Sequence, residues 1–151
     1  MDFKAELKKY QSYVDEKLDE YFKEANSYEK RLRESMRYSL LAGGKRVRPI
    51  LMLATYRLFR EDYERCLPFA LGMEMVHNAS LIHDDMPCID NDDFRHGKPT
   101  NHKMYDECTA LLAGDALFNY SNIVITDDLR ADLDIKSISM KIMALNEFVK
   151  V

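Results

Sequence analysis

The segment PFALGMEMVHNASLIHDDMPCIDNDD, residues 68–93, fixes how the rest of the chain is read. Pro68 suits the first turn of a helix, where its missing N–H costs no hydrogen bond. From there Leu71, Met75 and Leu81 keep helical spacing as far as Asp85, so the spacing predicts a helix. The helix is apolar for most of its length and ends in charge. Five carboxylates, Asp84, Asp85, Asp90, Asp92 and Asp93, fall within ten residues. Acidic groups at a helix C-terminus oppose its dipole, so a merely solvated acidic end is energetically poor. Asp84 and Asp90 are six residues apart, which on a regular helix puts them on different faces. Pro87 lacks a helical N–H and is expected to bulge or end the helix, letting Asp90 swing back beside Asp84. Grouped carboxylates suit a hard cation, and Mg²⁺ typically joins a few of them to substrate phosphates. An EF-hand does not fit, since Asp84–Asp93 has neither the mid-loop Gly nor the closing Glu.

Outward from this segment the same spacing recurs. Phe3, Leu7, Tyr10, Val14, Leu18 and Tyr21 step by three and four, an amphipathic helix. After a break near Asn26-Ser27, Leu32, Met36 and Leu40 mark a second helix, which Gly43-Gly44 should stop. Pro49 suits the first turn of a third, running to about Phe59. Beyond the carboxylates comes a charge-dense loop, Asn91 to Thr100. A helix is expected to resume near His102 and continue past Leu117. Ile135, Ile138, Ile142, Leu145 and Val149 mark the last one. No stretch alternates with period two for long, and there are no internal repeats, so the fold class is all-α. The apolar stripes read as core packing.

A chain of 151 residues suits one domain. Apolar residues make up 46% and charged residues 32%, a soluble, globular balance. The net charge of -4 argues against a general nucleic-acid binder, which carries excess positive charge. Cys66, Cys88 and Cys108 have neither metal-ligand spacing nor a disulfide pattern, which points to a reducing, cytoplasmic setting. MDFKAELKKY has no apolar signal-peptide core, and no apolar run approaches the ~18 residues of a membrane span.

Two basic runs flank the acidic one. Gly43-Gly44-Lys45-Arg46-Val47-Arg48-Pro49 sets cations at a helix N-terminus, which already attracts anions. Arg95-His96-Gly97-Lys98-Pro99-Thr100 follows the carboxylates. Each alone also reads as a solvated loop or plain turn. His77 lies two turns before Asp84 on the same face, although a lone histidine is more often satisfied within a core. The conjunction carries the argument: an acidic cluster between two cation-bearing loops, with a histidine facing it, is the set that two phosphorylated substrates and Mg²⁺ require.

At these residues the chain resembles the trans-polyprenyl diphosphate synthases of the farnesyl and geranylgeranyl type. Gly43–Pro49 is similar to that family's GGKRxRP, Asp84–Asp90 to its first aspartate-rich motif in the longer form, Arg95–Thr100 to RRGKPT, and Ala113–Leu117 to AGDAL. The resemblance implies an antiparallel helical bundle of the isoprenoid synthase type. It implies Mg²⁺ on Asp84 and Asp90 with Asp85 in support, an allylic diphosphate on Arg95, and isopentenyl diphosphate on Lys45, Arg48 and His77. His96 stands where the family usually has a second Arg, so weaker isopentenyl diphosphate binding is expected. The implied reaction is head-to-tail condensation giving farnesyl or geranylgeranyl diphosphate. Small Ala79 and Ser80, with flexible Met73 and Met75 nearby, lean toward the longer product.

Family members are roughly twice this size and carry a second aspartate-rich motif downstream. Asp127–Asp132 has the wrong spacing to be it. Residues 1–151 therefore read as the N-terminal part of one synthase domain: a short-chain prenyltransferase, or else an incomplete fragment or non-catalytic subunit that pairs with a complete synthase. A homodimer or partner subunit is implied by the resemblance.

Overall fold

A computed structural model of the chain describes residues 2–22 and 29–150. In chain order its elements are α1 (Phe3–Phe22), α2 (Lys30–Leu40), α3 (Val47–Arg57), a 3-10 turn (Tyr63–Cys66) and α4 (Leu67–Asp84). A two-stranded hairpin of β1 (Phe94–Arg95) and β2 (Lys98–Pro99) follows, then α5 (Asn101–Met104), α6 (Glu107–Ala131) and α7 (Ile135–Phe148). The expected break near Asn26-Ser27 lies outside the described residues.

The most extensive packing joins α4 to α6. Small residues let the two backbones approach: Ala79, Ala110 and Ala113 are fully buried. A Cβ on Gly72 would lie 3.1 Å from both the Ile125 side chain and the Ser121 carbonyl oxygen. Larger side chains, Met75, Leu117 and Ile125, fill the core around this seam. Burial of each such side chain contributes roughly 1.5–3 kcal/mol. Val14 and Leu18 of α1, Met36 and Leu40 of α2 and Leu53 of α3 complete the core. The first turns of the α1 stripe stay outside it, with Phe3 76% and Leu7 38% exposed.

The helix expected to run unbroken from His102 is interrupted. α5 stops at Met104, and Asp106 then caps α6 by accepting the Thr109 N–H at 2.7 Å. That N-cap satisfies a helix-start donor which a continuous helix would not have left open. Bonds from the Thr109 backbone and hydroxyl, with Arg31 beside them, hold the Asp106 carboxyl below its usual range. The charge-dense loop also contains the hairpin. Its two turn residues, His96 (φ 53°) and Gly97 (φ 76°), are both left-handed, which a two-residue hairpin of matching twist requires.

α7 is held by charge as much as by apolar contact. Lys141 reaches Asp128 at 2.7 Å and Asp132 at 2.8 Å. Leu145 and Phe148 pack on the core, while Ile135, Ile142 and Val149 of the expected stripe are exposed. α6 alone among the described helices is long and apolar enough to cross a membrane. Asp115, Asn119 and Asn122 interrupt it, and its buried face packs on protein. Its role here is that of a core helix.

Gly114 of α6 faces the His83 ring, and a Cβ there would sit 2.1 Å from Nε2. That nitrogen donates to the Leu111 carbonyl at 3.1 Å. Gly114→Ala should therefore lower stability by about 1–3 kcal/mol, the usual range for overpacking. His83→Ala in the same background should recover part of the loss. Thermal unfolding of the two single variants and the double variant reads the coupling.

Candidate functional site

Helix α4 delivers the acidic cluster. Asp84 is its last residue, and the chain then folds back on itself. The Ile89 and Asn91 N–H groups donate to the Met86 carbonyl at 2.9 and 3.1 Å, and the Asp90 N–H donates to the Asp84 carbonyl at 2.9 Å. Met86 is buried and anchors the loop, and Asn91 closes it in a left-handed conformation (φ 54°). Asp84 and Asp90 thus become backbone neighbours at the surface, as the interruption at Pro87 led one to expect. Among the described residues no three His, Cys, Asp or Glu side chains gather into a ready-made metal cage. Mg²⁺ needs only a few protein carboxylates where substrate phosphates and water complete its shell, so Asp84 and Asp90 are the residues that could hold one.

Asp85 has a different place. It is buried, and its carboxylate takes the Arg95 Nε–H at 3.0 and 2.8 Å on its two oxygens, with the Arg95 Nη2 as a further donor. A fork of this kind fixes the guanidinium plane as well as its position. The Arg95 side chain remains 31% exposed, so the hairpin displays a cation oriented by α4. Asp85, expected to support the metal, is here paired with Arg95.

The basic side chains converge separately. Lys45, Arg48, His77 and His96 line one cavity of about 250 Å³. They come from the glycine loop, α3, α4 and the hairpin turn. A slot of about 30 Å³ lined by Asp85, Arg95 and His96 adjoins it, with Asn78 and Leu81 common to both walls. Arg48 Nη1 stands 3.2 Å from His77 Nε2. A guanidinium only donates, so His77 accepts there and carries its proton on Nδ1. Burial and then the Arg48 charge push the His77 pKa down from its ordinary 6.5. His96 occupies a left-handed position that histidine tolerates better than most residues with a side chain.

Arg46, the middle cation of the glycine loop, is 3% exposed and tied up. It donates from Nε to Asp15 (2.7 Å), from Nη1 to Glu74 (2.7 Å) and from Nη2 to the Leu40 carbonyl (2.6 Å). Sequence reasoning missed its partner Glu74. The available signal was a lone carboxylate inside an apolar helix, since a buried charge needs a partner. It also missed Asn101, whose side chain is bonded to Ser35 and Ser39 and ties the hairpin to α2. Asp128 and Asp132 are both paired with Lys141.

The family model described as polyprenyl synthetase matches residues 29–147. The chain belongs to that family. It is 56% identical over 91 residues to the heterodimeric geranylgeranyl pyrophosphate synthase large subunit 1, chloroplastic, of Arabidopsis thaliana, covering 60% of this chain and 24% of that protein. To the farnesyl diphosphate synthase of Geobacillus stearothermophilus it is 54% identical over 97 residues, covering 64% and 33%. Among solved structures, an FPP/GFPP synthase from Zymomonas mobilis superimposes with a TM-score of 0.85 at 37% identity, over 95% of this chain and 50% of that one. A geranyltransferase from Legionella pneumophila gives 0.84 at 33% identity, over 96% and 51%. The chain thus spans about half the length of these solved polyprenyl synthetases, and the matches cover a quarter to a third of these two curated relatives.

His77 starts neutral, so an anion entering the cavity raises its pKa and binding takes up a proton. Diphosphate affinity should rise as pH falls around and below 6.5. Calorimetry in two buffers of different ionisation enthalpy reads the uptake, which His77→Ala should remove. The sign for stability is opposite. His77's contribution is full above pH 6.5 and is lost as pH falls through its lowered folded value.

Proposed function

We propose that this chain supplies the first substrate-binding half of a Mg²⁺-dependent, short-chain trans-prenyl diphosphate synthase, residues 1–151 being the N-terminal part of that domain. The observation that carries this reading is the convergence of Lys45, Arg48, His77 and His96 on one cavity beside the slot that holds Arg95. Isopentenyl diphosphate takes the cavity, its phosphate oxygens meeting the cations at Lys45 and Arg48 or accepting from His77 Nδ1, with His96 beside them. The allylic diphosphate takes Arg95, which Asp85 keeps aligned. Mg²⁺ held by Asp84 and Asp90 would neutralise the departing diphosphate when bound. The allylic C–O bond breaks with its electron pair leaving on diphosphate. The isopentenyl double bond then attacks the allylic carbon, and a proton is lost from the new chain. Water must be kept from the cation, and the apolar walls serve that end.

The growing chain has a place to go. A cavity of about 670 Å³ lies at the opposite end of α4, its apolar wall made by Met52, Tyr56, Phe69, Met73, Met140 and Phe148, with charged side chains such as Arg60, Arg65 and Lys136 also lining it. Ala79 is fully buried in the core, whereas Ser80 and Met73 are half-buried. Met73 lines that cavity and is therefore better placed than Ala79 to meet a prenyl chain and set its length. Its flexibility favours geranylgeranyl over farnesyl diphosphate. The three free cysteines accord with a cytoplasmic setting.

A second reading is a subunit that pairs with a copy of itself or with a complete synthase. Its support is the exposed apolar surface of Leu111, Leu112, Phe118 and Ile123 on α6 and Ile142 and Met143 on α7. Patches of this kind mark partner surfaces. On either reading the chain should self-associate or take a partner at micromolar concentration, and sedimentation would reveal a monodisperse monomer if it does not.

Calorimetry with pyrophosphate tests the site. Binding should tighten about tenfold or more when Mg²⁺ is added, and Asp84→Ala should erase that increment. Equal binding with and without Mg²⁺ overturns the metal assignment. Turnover is tested with isopentenyl and geranyl diphosphate, with and without a complementary C-terminal half. Condensation only in the paired sample identifies an incomplete catalytic half, and none in either identifies a non-catalytic subunit.

A further inference from the structure

The geometry points to Arg46 and its partners Glu74, Asp15 and Gln11 as a clasp that positions the cationic loop for diphosphate, an inference that rests on the function proposed above. Arg46 holds a left-handed backbone at φ 50°, an uncommon state for a residue with a side chain. Gly43 and Gly44 before it are at φ 111° and 131°. Glycine adopts such angles freely, but nothing local favours the left-handed state at Arg46, so long-range bonds must hold it. Arg46 supplies three, to Asp15 of α1, to Glu74 of α4 and to the last carbonyl of α2. Gln11 of α1 adds a fourth by donating to the Gly44 carbonyl at 2.7 Å.

The clasp brackets Lys45. That residue sits between Gly44, strapped by Gln11, and Arg46, strapped by Glu74, with Arg48 two residues further on in the first turn of α3. Asn78 donates to Glu74 at 3.2 Å and also lines the cavity, so the carboxylate itself is held in place. Replacing a buried ion pair by apolar residues is often neutral for stability. A role in positioning explains why this one sits under the loop that displays the cations.

Charge and position give opposite signs when a carboxylate is removed. Glu74 lines the cavity. On charge alone, Glu74→Gln removes a negative wall and should tighten pyrophosphate binding. Loss of the clasp lets Lys45 and Arg48 wander and should weaken it, because a small misplacement of binding groups is costly. The test is calorimetry of inorganic pyrophosphate with the full chain in EDTA, then with Mg²⁺, alongside thermal melts. Glu74→Gln and Asp15→Asn should weaken metal-free binding by about tenfold or more. Gln11→Ala, at a part-buried site where misfolding is not a concern, should weaken it by a smaller factor. The Mg²⁺ increment tied to Asp84 should persist in all three. Binding equal to or tighter than the parent's overturns the clasp. So does a proportional loss of both components with a lowered melt, which would make the network a support of the fold alone. A parent that binds no pyrophosphate overturns the diphosphate reading, and the clasp with it.

Discussion

The close approach of α4 and α6 is the constraint on which the rest of this structure depends. α4 bears charge at its C-terminal end and must present it in one orientation. The α6 face that receives it is built from Ala110, Ala113, Gly114 and Leu117, so small side chains set the distance and large ones fill around it. The His83 ring lies against Gly114, and its hydrogen bond to the Leu111 carbonyl fixes the last turn of α4 immediately before Asp84. Packing in the middle of the bundle thereby reaches the acidic end. Interiors packed to this density transmit such constraints because there is little space to absorb a shift.

On this frame the charges are sorted. Carboxylates at Asp84 and Asp90 sit at the surface at and beyond the end of α4, and the basic side chains Lys45, Arg48, His77 and His96 line a cavity on its flank. Asp85 and Arg95 pair between the two groups. The pairing is more than neutralisation, since a two-pronged carboxylate contact fixes a guanidinium plane that a lone arginine on a hairpin would leave free. A similar pairing appears at Arg46, where a cation next in sequence to Lys45 is buried against the Glu74 carboxylate. Neighbouring cations of one short motif therefore do different physical work. At α7 the same residue types hold a helix in place, Lys141 pairing with both Asp128 and Asp132.

Much of this was legible beforehand because the signals were local. Pro68 and Pro49 in first turns, Gly43-Gly44 after α2 and the interruption at Pro87 each act through the backbone of their own neighbourhood, and the structure has each where expected. The misses were local too where two starts competed. The break at Tyr105 was hidden because apolar and helix-forming residues continue across it, and only the Asp106 cap distinguishes a new helix from an old one. The hairpin was hidden because two-residue strands give too little alternation to register.

The sequence by itself determined the helical class, the family and the set of chemically able residues, because period, punctuation and motif spacing are properties of the chain. Only the tertiary structure decided what each member of the set does. Arg46 and Lys45 are adjacent and alike in charge, yet Arg46 is buried and bonded to Asp15 and Glu74, 31 and 28 residues away in sequence, while Lys45 stays exposed. Asp84 and Asp85 are identical in type, yet Asp84 is exposed and Asp85 buried. Such outcomes depend on which distant partner reaches a charge first and on how much water is left around it. Neither quantity is encoded in the spacing of residues along the chain.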